Sequence, residues 1–296
     1  MSVRITQSML SERFLADYQA ALRRIARAEE QLATGRKVVR PSDDPVIALR
    51  ALRTESLLRD IAQFRRNADY ARSFLDAQER SLAEGEDLLK RVRELLVQGS
   101  NTALSREARD AVASELRAVR EQFAAVANTN LGGRYVFSGE ATTEPAYGPA
   151  GLLDTPPAQR PLVAVLSPGV SLPLGVTAVE LFRPLPGGED LFRFLERAED
   201  VVRTGGDVNA VLGDFEGFEN NWLRRHTYVG SLQNRLELMA ARLDDQAVSG
   251  ERLLSETADT DLAEAVTRLT TAQNVYQAAL GVGARILLPS LADFLR

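Results

Sequence analysis

One apolar stripe limits what this chain can become. Leu57, Ile61, Phe64, Ala68, Ala71, Leu75, Leu82, Leu89, Val92 and Leu96 recur at alternating steps of four and three, interrupted only at Gln78 and Gly85 and by no proline. Such steps keep one side of a helix turned toward a partner, and a register held this long specifies a helix well beyond the three turns usual in globular domains. At 1.5 Å per residue it would be a rod of about 60 Å. A compact single-core domain rarely needs an element of that length, so the stripe points to a chain built for assembly.

Composition agrees with a helical reading. Of 296 residues, 45% are hydrophobic and only 6% aromatic, which favours a coiled-coil-rich architecture over a sandwich. One large domain or two or three smaller ones are possible at this length. The net charge of −5 offers nothing global to nucleic acid or to an anionic membrane. Lys37 and Lys90 are the only lysines, and the absence of cysteine removes disulfides, thiolate nucleophiles and zinc-finger sites. Arg4, Glu12 and Arg13 break up the N-terminal apolar clusters, so no cleaved signal peptide is expected there. No later run would span a bilayer.

Taken in order, the chain divides into five stretches. Residues 1–40 form a helical arm with the stripe Leu15, Tyr18, Leu22, Ile25 and Leu32, closed by Thr34-Gly35. In the loop beyond it, Asp44 suits an N-cap and Pro45 the first helical position, so the rod starts near Pro45. Residues 41–139 hold the first rod, a helix opened by Ser105 with the stripe Val112, Leu116, Val119, Phe123 and Val126, and one arm of a hairpin at Arg134–Phe137. Nine of the twelve prolines fall within residues 140–188, which excludes long helices and predicts strands at 162–166, 170–174 and 179–182. Residues 189–257 return to helix, from Glu189 to Val202, from about Val208 into Trp222, and in a second heptad run from Val229 to about Leu254. Residues 258–296 form the last arm, started by Asp261 and striped with Leu262, Val266, Leu269, Tyr276 and Leu280. It is expected to stop at Gly281-Val282-Gly283 or a turn later, before Pro289. The expected fold is mainly α: an elongated antiparallel long-helix bundle with paired terminal helices and a small β-rich insertion at the tip, dispensable for the helical core.

Catalytic chemistry is not legible. His226 is the only histidine and has no nucleophile elbow to serve, so a surface or interface role is the simpler reading. Asp43 and Asp44 are adjacent and do not converge on one ion, and capping explains them. Leu131-Gly132-Gly133-Arg134 lacks the spacing of a dinucleotide loop and the lysine of a P-loop. The early arginines alternate with acids, as on a solvated helix face. No catalytic, cofactor or metal site is expected. For the central stripes the simplest reading is a bundle core, whereas those of the arms suit either a core or contacts with neighbouring subunits.

Four stretches resemble one family. Leu32-Ala33-Thr34-Gly35-Arg36-Lys37 through Pro41-Ser42-Asp43-Asp44-Pro45 is similar to a segment of the bacterial flagellins and their relatives. Asn128-Thr129-Asn130-Leu131-Gly132-Gly133-Arg134-Tyr135-Val136-Phe137-Ser138-Gly139 resembles the version in hook–filament junction members, and Val229 to Glu237 and Asp261 to Leu280 are similar to the family's C-terminal half. The ending Pro289–Leu295 resembles the hook-associated type more than flagellin itself, and the proline-rich insertion matches no pattern. The resemblance implies a non-enzymatic subunit of the flagellum, outside the cell, exported through the flagellar channel. It would form a ring between the first hook-associated protein and flagellin, with a cytoplasmic export chaperone as a further partner and neither nucleic acid nor membrane. The implied assembly faces are Leu15, Tyr18, Leu22, Ile25 and Leu32 on the first arm and Leu262, Val266, Leu269, Tyr276 and Leu280 on the last. Flagellin itself and a cytoplasmic coiled-coil adaptor are the alternatives, with a hydrolase using His226 a distant third.

Overall fold

The computed structural model describes residues 7–185 and 187–294. Arg4 and the last residue of the Pro289–Leu295 motif lie outside the described residues. The chain is mainly α. Its helices are α1 (Gln7–Thr34), α2 (Pro45–Gly99), α3 (Arg106–Ala127), α4 (Ala178–Phe182), α5 (Leu191–Thr204), α6 (Val208–Ala258) and α7 (Leu262–Phe294). Three antiparallel hairpins pair β1 (Asn130–Leu131) with β2 (Arg134–Tyr135), β3 (Tyr147–Gly148) with β4 (Gly151–Leu152), and β5 (Val163–Ser167) with β6 (Val170–Pro173). Two compact units result, one of residues 61–245 and one of residues 1–60 with 246–296.

Several boundaries follow from local chemistry. The Asp44 carboxylate accepts from the amides of Val46 and Ile47 at 2.9 and 3.0 Å, capping α2 with Pro45 in its first turn. Ser105 caps α3, and Asp261 caps α7 through the amides of Ala263 and Glu264. Three expectations are corrected. Residues 179–182 are a helix, because Thr177 and Glu180 form a reciprocal capping box that outweighs the β-branched flavour of Val179. The two runs in residues 208–254 are one continuous 51-residue helix. The last helix passes Gly281, Gly283 and Pro289, since Gly283 is there to let a ring approach and not to end the helix.

In the unit of residues 61–245, α2 and α6 run antiparallel. Arg65 Nε meets Asp244 at 2.9 Å, Gln233 donates to Asp76 at 3.1 Å, and Arg93 Nε donates to Glu219 at 2.8 Å. The two interruptions of the stripe are where other parts dock. A Cβ on Gly85 would overlap the indole of Trp222, which is 1% exposed and donates to the Leu82 carbonyl at 2.9 Å. Phe123 and Phe182 meet that indole edge-on at 5.8 and 5.5 Å between ring centres. Gln78, fully buried, donates to the carbonyls of Val136 and Val176 and accepts from the Val176 amide.

The proline-rich segment is therefore part of the core of this unit, and its packing argues against its being dispensable. Leu166, Leu172, Leu174, Val176, Leu181 and Phe182 belong to the same buried cluster as Leu75, Leu82 and Phe123. Hairpin β5–β6 lies alongside α2, with the Asn67 amide donating to the Val165 carbonyl at 2.8 Å. Asn221 of α6 donates to the carbonyls of Glu180 and Leu181 at 2.9 and 2.8 Å. Prolines prevent long helices but not burial of the residues between them.

Glu199 is a charge held inside this unit. At 4% exposure it receives hydrogen bonds from Arg117 and Arg203. Burial alone pushes its carboxyl up, but those two guanidiniums outweigh it and hold the group below its ordinary value. A depressed carboxylate contributes its full stability above the unfolded pKa of about 4.3 and loses it as pH falls through the lower folded value. Glu199→Gln should cost about 1–2 kcal/mol at pH 7 and flatten the acid side of the melting-temperature profile, as scanning calorimetry from pH 3 to 7 would register.

Gln78→Leu leaves three buried backbone groups without partners and should destabilise this unit by about 3 kcal/mol or more in urea unfolding. Replacing residues 142–186 with a Gly/Ser linker should abolish its cooperative transition; an unchanged transition would restore the view of a dispensable insertion.

Candidate assembly surface

The second unit, residues 1–60 with 246–296, is built on the opposite burial rule. Antiparallel α1 and α7 are joined at their loop ends by the backbone, with Lys37 N donating to Ala258 O at 2.7 Å and Thr260 N to Gly35 O at 2.8 Å. Farther along, the hydroxyls of Tyr18 and Tyr276 lie 3.0 Å apart with ring centres at 5.3 Å. The bond to Tyr18 raises the Tyr276 hydroxyl above its ordinary pKa. A Cβ on Gly283 would overlap the ring of Phe14. Among the described residues of this unit, the fully buried apolar side chains are Ala21, Ala28, Ala51, Ala247, Ala258 and Ala265. All six are alanines.

The large apolar side chains are outside. Of the ten residues singled out in the sequence, Leu15, Leu22, Leu262, Val266 and Leu280 are exposed, Leu15 and Leu262 by 55% and 59%. Tyr18, Ile25, Leu32, Leu269 and Tyr276 are half-buried, and Tyr18 and Tyr276 face each other. Sequence reasoning missed Val46, Leu49 and Leu52 at the start of α2 and Leu253 near the end of α6, which are also exposed, and Leu57, read as the head of the rod's core stripe, is exposed with them. A tally of the largest apolar residues overlooks them, because only the alanines at Ala21 and Ala28, seven apart on α1, reveal which face turns inward. A groove of about 620 Å³ runs between α1 and α7, lined by Ala21, Ala28, Ala272 and Val275 with Arg24 and Arg268 at its edge.

Polar residues here tie loops together. Arg36 pairs with Glu55 at 2.9 Å, Arg40 with Glu30 at 3.2 Å and Arg27 with Asp43 at 3.5 Å. Each pair is partly open to water and is worth little individually. His226, in the other unit, is bonded through Nδ1 to Glu86 at 2.6 Å, with Glu79 3.9 Å from Nε2. No hydroxyl or thiol nucleophile is bonded to its ring among the described residues. No helix among the described residues is long and apolar enough to cross a membrane.

A paired-helix unit with alanines inside and leucines outside defines a class: a chain whose terminal helices leave their large apolar side chains uncovered. Comparison with known proteins places it more closely. The model of the bacterial flagellin N-terminal helical region matches residues 5–142, and that of the bacterial flagellin C-terminal helical region matches residues 220–289. Hook-associated protein 3 of Salmonella typhimurium is 22% identical over 94% of this chain and 95% of its own length. Its Escherichia coli counterpart is 32% identical over a shorter match, 38% of this chain and 36% of the relative. The crystal structure of a hook-associated protein 3 from Legionella pneumophila superposes with a TM-score of 0.61 at 15% identity, covering 69% of this chain and 97% of that one, and shows a shared fold. The chain belongs to the bacterial flagellin family, as a structural component of the flagellum.

A unit whose buried apolar residues are all alanines gains little from burial, since a buried leucine is worth about 1.5–3 kcal/mol and an alanine far less. In the isolated chain residues 1–60 and 246–296 should open first. Brief proteolysis should leave a resistant fragment near residues 61–245, identified by mass spectrometry; equal resistance of the two units would contradict this.

Proposed function

We propose that the protein forms the junction between hook and filament, as a ring of identical subunits that seats on the first hook-associated protein and templates the addition of flagellin. The carrying observation is the reversed burial of the terminal unit. Leu15, Leu22, Leu262, Val266 and Leu280 stand in water in the single chain, and neighbouring copies that cover them would recover the burial energy the unit lacks alone. Tyr18, Ile25, Leu32, Leu269 and Tyr276 complete these faces from their half-buried positions. Membership of the flagellin family supports delivery through the flagellar export channel, with a cytoplasmic chaperone covering the apolar faces until then, and a place on the extracellular flagellum. No reaction is assigned to it. Similarity to hook-associated protein 3 over 94% of the chain supports the junction over the filament.

Leu262 and Leu269 separate assembly from folding, since Leu262 is exposed and Leu269 only half-buried. Changing both to Asp should leave synthesis and export intact but remove several kcal/mol per subunit contact, about 1.5–3 for each leucine. Cells carrying the double change should bear hooks without filaments and release unpolymerised flagellin into the medium. Normal filaments in that strain would refute the assembly role of this face, and normal filaments after deletion of the whole gene would refute the junction assignment.

A further inference from the structure

We propose that Phe14 and Gly283, seconded by Tyr18 and Tyr276, set the register in which the two terminal helices of one chain pair, and so decide which apolar side chains stand level on the subunit's outer face. Alanine alone cannot set it. Ala21 and Ala28 on α1 are seven apart, as are Ala265, Ala272 and Ala279 on α7, so sliding one helix by a heptad, about 10 Å, again places alanine on alanine. An interface of small, similar side chains is tolerant of such slips. Backbone links at Gly35 and Ala258 hold the loop ends, and at the far end of the pair something unique has to break the repeat.

The aromatic end of the pair does so. The Phe14 ring occupies the space a Cβ on Gly283 would need. One heptad before Gly283 stands Tyr276, which has a side chain where Gly283 has none. A slip in that direction therefore drives the ring against a side chain. A slip that brings Tyr276 opposite Phe14 also moves Leu269 opposite Tyr18, and the 3.0 Å bond between the two hydroxyls has no replacement there. Phe14 sits 6.3 Å from Tyr18 between ring centres, so knob, hole and hydroxyl pair form one continuous clamp. Gly283 is helical, where glycine is otherwise a cost, and the ring gives that cost a purpose. Leu15 and Leu22 on α1 then hold a fixed stagger against Leu262 and Val266 on α7. That last consequence rests on the proposed role of those residues in subunit contacts.

The chain has no cysteine, so labels can be placed at will. Nitroxides on the exposed positions Asp17→Cys and Thr270→Cys of the full-length chain would be measured by double electron–electron resonance. The expected result is one narrow distance in the otherwise native chain and a shift of about 5–10 Å, up to the rise of one heptad, in Gly283→Leu. Adding Phe14→Ala to Gly283→Leu makes room for the new side chain and should return the distance to its native value, which simple weakening of the helix would not do. A broad distance in the native chain, an unchanged distance in Gly283→Leu, or a double variant no nearer to the native distance would each overturn the proposal. Because the distance is read on the purified chain, such a failure leaves the junction assignment standing, whereas filaments in a deletion strain would remove the assignment and leave the register intact.

Discussion

The size of the side chain at each buried heptad position governs how this molecule divides its apolar surface. Where the inward position carries tryptophan, phenylalanine or leucine, as at Trp222, Phe123 and Leu82, helices stand apart and the space between them must be filled completely. Where it carries alanine, as at Ala21 and Ala265, helices close up and little surface is taken from water. Leucines on the same helices are then left for other contacts. One heptad pattern thus produces a self-sufficient unit in residues 61–245 and a dependent one at the chain ends.

Filling the first of these units requires two departures from its own pattern. A stripe of uninterrupted leucines on α2 would give Trp222 no seat and the loop backbone at Val136 and Val176 no partner. Gly85 and Gln78 supply these, one by having no side chain and the other by having an amide that both donates and accepts. Burying an amide is costly unless its bonds are made, and here they are made to backbone groups that would otherwise be left without partners. Helical core and proline-rich segment therefore stabilise each other.

Much of this was legible in the sequence, and the failures share a cause. Asp44, Ser105 and Asp261 announce their helices because capping is local chemistry, and the Val112 to Val126 stripe announces its buried face because period and burial coincide. The short helix at Ala178–Phe182 was missed because a two-residue cap outweighed composition. The integration of the proline-rich segment was missed because Gln78 reads as a defect until its partners, about sixty and a hundred residues away, are in view. For the terminal helices, periodicity located the apolar stripe without saying whether leucine or alanine forms the inner one. Tyr18 and Tyr276, grouped with the outward leucines, turn toward each other.

Reversed burial also explains how a subunit can be stable and yet wait to assemble. If Leu15, Leu22, Leu262 and Leu280 packed against their own chain, the terminal unit would be satisfied alone and would gain nothing from neighbours. If nothing held the terminal helices together, each copy would pay the full entropy of ordering two long helices at the moment of contact. The alanine interface, with its backbone links at Gly35 and Ala258, stands between these extremes: it orders the pair while conserving the leucines for association. Proposed contacts between copies then draw on a preorganised surface. On that proposal, the free energy of assembly depends less on forming helices than on covering side chains that the fold has already lined up.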